Sequence, residues 1–448
     1  MLKLFFSSVF LFISVFTYAK FTNANLTAQR QTHLPTDSTE YFGAKNQEAK
    51  FTFETQIFIP LSKGTPTDQM IQSEFKIYSK YMLGQMRRTT NNASAVYPTF
   101  SVHINKFEKA SDTFNRVYVQ FSGKGVFSPS QTNYTFLIPT YAPQIFQKSN
   151  SLCTEADSDK IDDGNFWYHW DPKKSGCPLI EGTDYSVVTA PLSYLANTNL
   201  TYPEYDRLIR NGQLRMTLFF GLSDYDDTNW NPNTNTSDWG AIGFKQEREA
   251  LMKFGFQSQI WSETDIRKWY NPTPGQPLPY IETLSKNTPH GLLTLRLFLG
   301  NTGFDHDSKA FHLFLKDALW NDSSIIYNGH SGIGKNLDIP QIANLRGYKL
   351  PISNDYQILF LGSCVPYAYY TALFFHKKSS SLDLTGTKGL DIITYGNEST
   401  FANVDDIRLT TALIKYMDTG YRTSYQDIIQ NEANFFLGVN GDEDNPQH

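Results

Sequence analysis

The stretch SIIYNGHSGIG (324–334) carries the prediction of the fold. It begins with an apolar, β-like run and ends in a glycine-rich turn that contains His330. A second stretch, YQILFLGSC (356–364), repeats the arrangement with Gly362 and then Cys364. Apolar runs without polar interruption are typical of strands buried on both faces, as in a parallel sheet covered by helices. The two stretches therefore predict neighbouring parallel strands that end at the same edge of a sheet.

The alternation of strand and helix patterns extends over the C-terminal half of the chain. Further strands are predicted in LRMTLFFGLSD (214–224), LLTLRLFLGNT (292–302) and LDIITYGNEST (390–400). Helices are predicted in KQEREALMKFGF (245–256), SKAFHLFLKDALW (308–320), VPYAYYTALFFHK (365–377) and DDIRLTTALIKYMDTG (405–420). This alternation favours an α/β domain over residues 205–448, with a mostly parallel sheet flanked by helices.

The N-terminal half has a different rhythm. KFTFETQIFIP (50–60) alternates apolar and polar residues like a half-buried strand, and residues 65–88 have apolar positions at helical spacing. Three more strand patterns follow before residue 150. We therefore expect an α+β domain with an antiparallel sheet over 50–150, after a polar, flexible leader over 20–49.

The first residues predict export. MLKLFFSSVFLFISVFTYAK places one lysine before an apolar run of the length found in secretory signal peptides, and small residues precede Lys20. The run is shorter than the roughly 20 residues of a membrane-spanning helix. We expect a signal peptide over 1–19 and a secreted, periplasmic or cell-surface chain without a membrane span after its removal.

The cysteines fit an oxidising compartment. The chain has three, and Cys153 and Cys177 lie in the loop-rich connecting region predicted over 151–204. They are natural disulfide partners, and a loop of this size predicts a stabilisation of roughly 3 kcal/mol. Cys364 remains unpaired, so we expect it to be either buried and inert or used for chemistry.

Composition excludes one class of partner. The 448 residues carry a formal net charge of −5, which argues against a nucleic-acid-binding protein because such proteins need a basic face. No metal-ligating spacing or cofactor motif is predicted. The acidic stretch DYDDTNW (224–230) is compatible with a structural calcium ion, although a solvated loop is the simpler interpretation.

His330 and Cys364 together have the chemistry of a nucleophilic pair. A thiol is a weak nucleophile unless a base removes its proton, and a histidine can do this and then protonate a leaving amine. Backbone N–H groups at a tight turn can stabilise the oxyanion of an acyl-transfer intermediate. Taken alone, His330 is explained equally well as a histidine in a surface turn, and Cys364 as a buried, inert thiol. Their matched positions at the ends of two successive strands favour a nucleophilic pair.

YNGHSG and LFLGSC, in this order and spacing, resemble the caspase–gingipain–legumain superfamily of cysteine peptidases, most closely its gingipain-type branch. The resemblance covers roughly residues 205–440 and implies a caspase-like sheet with His330 and Cys364 as the catalytic dyad. It also implies oxyanion donors at the backbone amides of Cys364 and of the residue after the histidine. That residue is Ser331, where the family has glycine, and a serine in a glycine conformation is expected to be strained.

The resemblance further implies a specificity pocket formed by the end of the strand in 390–400, with Asn397 or Glu398 in its lining. Asp224, at the end of the strand in 214–224, is a third candidate for contact with a substrate side chain. The predicted function is an exported cysteine endopeptidase that acts on proteins or peptides without a cofactor. The alternative is a non-catalytic surface or periplasmic protein of the same fold that binds a peptide or glycan.

Overall fold

The structure is a computed structural model. It describes residues 41–88, 93–96, 99–153, 170–194, 200–224, 227, 229–272, 275–305, 307–332, 334–396, 406–430 and 437–447. The predicted signal peptide, most of the predicted leader, Asn397 and Glu398 lie outside these residues.

The described strands join into one mixed sheet of fifteen strands. In chain order they are β1 (Tyr41–Gly43), β2 (Gln47–Pro60), β3 (Ala93–Val96), β4 (Ser101–Lys109), β5 (Phe114–Phe127), β6 (Asn133–Pro139), β7 (Tyr185–Tyr194), β8 (Gln213–Gly221), β9 (Gln257–Ile260), β10 (Tyr280–Thr288), β11 (Gly291–Gly300), β12 (Ser324–Asn328), β13 (Gln357–Gly362), β14 (Leu390–Tyr395) and β15 (Leu437–Asn440).

The described helices flank this sheet. They are α1 (Asp68–Arg88), α2 (Ala142–Ser149), α3 (Tyr205–Leu208), α4 (Trp239–Met252), α5 (Glu263–Tyr270), α6 (Lys309–Asn321), α7 (Ile339–Arg346), α8 (Pro366–Tyr369), α9 (Thr371–Lys378), α10 (Asp406–Thr419) and α11 (Tyr425–Ile428). The prediction of one continuous helix over 365–377 is wrong, because Tyr370 separates two helices there, α8 and α9.

Five neighbouring strands of the C-terminal half are parallel, in the order β11–β8–β12–β13–β14. Their continuous apolar sequences follow from burial on both faces. In β8, Leu218 and Phe220 pack in the core that contains α4 and α10, whereas Phe219 packs in the core that contains α6 and α9. Adjacent side chains of a strand point to opposite faces, so a strand between two layers of helices needs apolar residues at every position.

Antiparallel strands complete the C-terminal part of the sheet. β14 pairs with β15 on one side, and β11 pairs with β10, which pairs with β9, on the other. β9, β10 and β15 were not predicted from the sequence. The sheet as a whole is therefore mixed, and the chain is an α/β protein with a large mixed sheet flanked by helices.

The N-terminal half is antiparallel, as predicted from its alternating pattern. β2 and β5 pair along their full length, from Gln47 opposite Phe127 to Pro60 opposite Phe114. Inward-facing rings from these strands form an aromatic cluster, in which the ring centroids of Phe53 and Phe121 are 4.9 Å apart. Helix α1 covers this core with its own buried side chains.

Two boundaries predicted from the sequence need correction. Residues 41–49 are not part of a flexible leader, because β1 and the start of β2 lie there, and Phe42 of β1 pairs with Val439 of β15. The predicted connecting region contains β7, which pairs with β2 and β6. Both segments contribute backbone hydrogen bonds that local hydrophobic patterns do not reveal.

The predicted disulfide between Cys153 and Cys177 is present, with a Cα–Cα distance of 4.8 Å. No helix within the described ranges combines the length and the apolar character that crossing a membrane requires.

Candidate functional site

The ends of β12 and β13 bring the two predicted residues to one edge of the sheet. The strands are parallel neighbours, and their last paired residues are Asn328 and Gly362. One residue further, the N–H of Gly329 donates to the carbonyl of Gly362 at 3.0 Å. His330 and Cys364 each lie two residues beyond this last pair. The prediction that these two strands are parallel neighbours with a shared edge is therefore confirmed.

The His330 imidazole has a defined orientation. Its Nε2 lies 3.0 Å from the carbonyl oxygen of Ser223, in the loop after β8. A carbonyl oxygen can only accept a hydrogen bond, so Nε2 carries a proton and donates it in this contact. The backbone of His330 is also held, because its carbonyl accepts from the Tyr327 hydroxyl at 2.6 Å and from Asn336 Nδ2 at 2.8 Å.

A buried carboxylate fixes the Ser223 loop. Oδ2 of Asp238 accepts from the N–H of Ser223 at 2.8 Å, from its hydroxyl at 2.7 Å and from the N–H of Asp224 at 3.2 Å. Oδ1 of the same side chain caps α4 by accepting from the N–H of Ala241 at 2.9 Å. Asp238 thus ties the carbonyl that binds His330 to the start of a helix, where a carboxylate is favoured.

Cys364 lies at an abrupt change of chain direction. Its side chain is half-buried, and the next residue, Val365, adopts φ 50° and ψ 44°. This left-handed conformation is unfavourable for a β-branched residue. Pro366 follows at the first position of α8, where its fixed φ suits a helix start. Strained backbone of this kind concentrates at functional sites, and Val365 was not identified from the sequence.

Ser331 is not strained, and the expectation from the sequence is wrong on this point. Among the described non-glycine residues, positive φ occurs at Asn211, Asn271 and Val365, and Ser331 is not among them. Gly332 takes the left-handed conformation instead, with φ 55°. The turn therefore accommodates serine after His330 because the glycine conformation is displaced by one residue.

The two backbone groups of Ser331, its carbonyl and its N–H, differ in their hydrogen bonding. Its carbonyl accepts from the Tyr370 hydroxyl at 2.7 Å and from the N–H of Gly334 at 3.0 Å. Its own N–H donates to no group in the part of the chain that the structure describes. A buried amide without a protein partner has a hydrogen bond to offer to a ligand.

A polar network that was not predicted from the sequence lies beneath the site. Asn328 Nδ2 donates to Asp406 Oδ2 at 2.7 Å, and Asp406 is fully buried at the start of α10. Burial raises the pKa of Glu247, in α4, well above its usual range, and the Asp406 carboxylate raises it further. Glu247 is therefore a neutral acid beside a carboxylate at ordinary pH. The network also crowds Gly362, where an added Cβ would lie 2.2 Å from Asn328 Oδ1.

The N-terminal half of the chain contacts the turn that carries Cys364. The Tyr367 hydroxyl, three residues after Cys364, donates to Glu48 of β2, and Lys124 of β5 forms an ion pair with the same carboxylate at 3.2 Å. Val365 and Tyr367 belong to the N-terminal hydrophobic core, and Cys364 packs against it. The turn that carries the thiol is thus supported by both halves of the protein.

The remaining predicted site residues are distributed as follows. Asp224 is exposed and lies at the same edge as His330, one residue from the Ser223 carbonyl. Asn397 and Glu398 fall outside the described residues. Within the described ranges, no group of three or more His, Cys, Asp or Glu side chains is arranged to hold a metal ion.

Comparisons with known proteins found no relative of this chain. No protein-family model, no curated protein and no solved structure matches it.

Proposed function

We propose that this chain is an exported cysteine endopeptidase of the caspase–gingipain–legumain type, with His330 as the base and Cys364 as the nucleophile. The observation that carries the proposal is the hydrogen bond from His330 Nε2 to the Ser223 carbonyl. This contact fixes the orientation of the imidazole at the edge of the sheet where the Cys364 strand ends, which is the position a base for the thiol requires.

The reaction follows from these roles. His330 Nδ1 takes the thiol proton, and the Cys364 thiolate attacks the carbonyl carbon of a peptide bond. The resulting oxyanion accepts hydrogen bonds from the N–H groups of Ser331 and Cys364. The tetrahedral intermediate collapses to a thioester as the imidazolium gives its proton to the leaving amine. Water, deprotonated by His330, then hydrolyses the thioester and restores the thiol.

The surroundings suggest which substrates the site would accept. Asp224 is exposed at the same edge of the sheet as His330, where its negative charge would favour a basic side chain of the substrate. Peptides with Lys or Arg before the cleaved bond are therefore the first substrates to test.

The thiol reaction provides a direct test, because Cys153 and Cys177 are joined and Cys364 is the remaining cysteine. Iodoacetamide should alkylate Cys364 rapidly at neutral pH in the purified full chain, and His330→Ala should slow this reaction by at least about tenfold. His376→Ala, at an exposed position in α9, is the matched control and should leave the rate unchanged.

Peptide cleavage should follow the same pattern. Mass spectrometry of a peptide mixture should detect internal cleavage by the wild-type chain and none by Cys364→Ala. A thiol that reacts equally slowly in wild type and His330→Ala, together with intact peptides, would exclude the peptidase and favour the non-catalytic binding protein.

A further inference from the structure

A second concave site lies at the opposite edge of the sheet. It is a cleft of about 460 Å³ at the amino ends of β8, β12 and β13, whose carboxyl ends carry the His330–Cys364 site. Its lining includes Arg210, Arg215, Trp320, Asn354 and Asp355. This volume falls within the range of small-molecule sites, about 300–1,000 Å³.

The cleft presents unused hydrogen-bonding groups beside one exposed ring. Trp320, near the end of α6, is 52% exposed and has no aromatic or hydrogen-bonding partner among the described residues. The side-chain amides of Asn211 and Asn354 are exposed and make no hydrogen bond within the same residues. Each amide provides two donors and one acceptor, so the cleft can bind several hydroxyl groups at once.

The charged groups of the cleft are already neutralised and held in place. Arg210 donates to the Tyr356 carbonyl at 2.8 Å and faces Asp355 at 3.5 Å. Arg215 lies 2.9 Å from both Asp317 and Asp322. Because the guanidinium groups are fixed by these contacts, the N–H donors of Arg210 that the contacts do not use can bind a ligand at a low cost in side-chain ordering.

This lining excludes three classes of ligand. A phosphate or sulfate would meet guanidinium groups whose charge is balanced by carboxylates. A divalent cation would find one carboxylate in the lining, that of Asp355, and needs more. An apolar molecule would find one indole and otherwise polar side chains. A ligand with many hydroxyl groups and one apolar face fits, and a sugar ring has this chemistry.

We propose that this cleft binds a neutral oligosaccharide, with the C–H face of one sugar ring stacked on Trp320. Its hydroxyls bind to Asn211, Asn354 and the remaining N–H donors of Arg210. The site has room for about one or two sugar rings. It is separated from the thiol site by the length of the parallel strands, so binding does not depend on the peptidase chemistry.

The test uses the purified full chain and a panel of neutral mono- and oligosaccharides based on glucose, galactose, mannose and N-acetylglucosamine. Saturable binding should be detected by calorimetry and by saturation-transfer NMR, with a Kd of about 0.1–1 mM for the best ligand. Trp320→Ala should weaken binding by about tenfold or more, and Asn354→Ala by several-fold.

Two controls separate this site from others. Trp239→Ala removes an equally exposed indole, 54% accessible, at the other edge of the sheet and should leave the Kd unchanged. Cys364→Ala should also bind sugar normally. Absence of saturable binding to every saccharide in the panel would overturn the proposal. Equal binding by Trp320→Ala, or displacement of the sugar by millimolar sulfate or phosphate, would overturn it too.

Discussion

The imidazole of His330 and the backbone carbonyl of Ser223 are 3.0 Å apart, although 107 residues separate them in the chain. This contact joins the end of β12 to the loop after β8, its parallel neighbour. In this contact Nε2 donates its proton to the carbonyl oxygen. The candidate base is therefore oriented by a main-chain group, whose position depends on the side chains that hold its loop.

Asp238 is expected to control thiol reactivity through this loop. A carboxylate has two acceptor oxygens, whereas the amide in Asp238→Asn has one, so the variant cannot both accept from Ser223 and cap α4. Buried donors left without an acceptor lower the free energy of unfolding by about 1–3 kcal/mol. If His330 activates Cys364, the rate of iodoacetamide alkylation at pH 7 should fall by about tenfold.

Asp227→Asn is the control for this experiment. Asp227 accepts from the N–H of Asn229 and from Asn235 Nδ2 in the same loop, and among the described residues it makes no hydrogen bond with Ser223. Equal slowing of alkylation in both variants would show that loop order in general, and not the Ser223 carbonyl, sets the rate.

Gly362→Ala should disturb the last paired position of β12 and β13. The new Cβ would lie 2.2 Å from Asn328 Oδ1, so Asn328 must move away from Asp406 or the strands must separate. We expect a loss of about 1–3 kcal/mol in the free energy of unfolding, measured by urea denaturation. At Gly389 the nearest atom to a new Cβ is 3.7 Å away, so Gly389→Ala should be near neutral. Similar losses in both variants would contradict this explanation.

Glu247→Gln should make the protein more stable, and the gain should grow with pH. The folded-state pKa of Glu247 is raised above its usual value of 4.5, so the native state keeps the proton while the unfolded chain loses it. Folding stability therefore declines as pH rises above about 4.5, by up to about 1.4 kcal/mol per pH unit, until the native carboxyl ionises. A neutral glutamine does not have this penalty.

Urea denaturation at pH 5 and pH 8 measures this effect. The difference between Glu247→Gln and wild type should be larger at pH 8. Glu249→Gln, at an exposed position in the same helix, should show no such trend. A constant difference at the two pH values would mean that Glu247 ionises normally in the folded protein.

Removal of the disulfide should lower stability without affecting the thiol site. The bond spans 24 residues, so the double variant Cys153→Ser, Cys177→Ser should lose about 3 kcal/mol in the free energy of unfolding. Reducing agent should lower the denaturation midpoint of wild type and leave that of the double variant unchanged. Alkylation of Cys364 should proceed at the same rate in both. A change in that rate would imply that the connecting region supports the site.

The sequence by itself determined the parallel strands, their shared carboxyl edge, the residues at their ends and the disulfide pairing. Burial on both faces imposes a continuous apolar pattern, and this pattern is local enough to be recognised in SIIYN and QILFLG.

Only the tertiary structure decided which group orients His330, because any residue can supply a carbonyl oxygen. It also decided that Glu247 is buried beside Asp406, since these residues are 159 positions apart on two helices that pack on the same face of the sheet. Hydrogen bonds and charges act over a few ångströms, and the distances between these groups are set by the packing of distant segments.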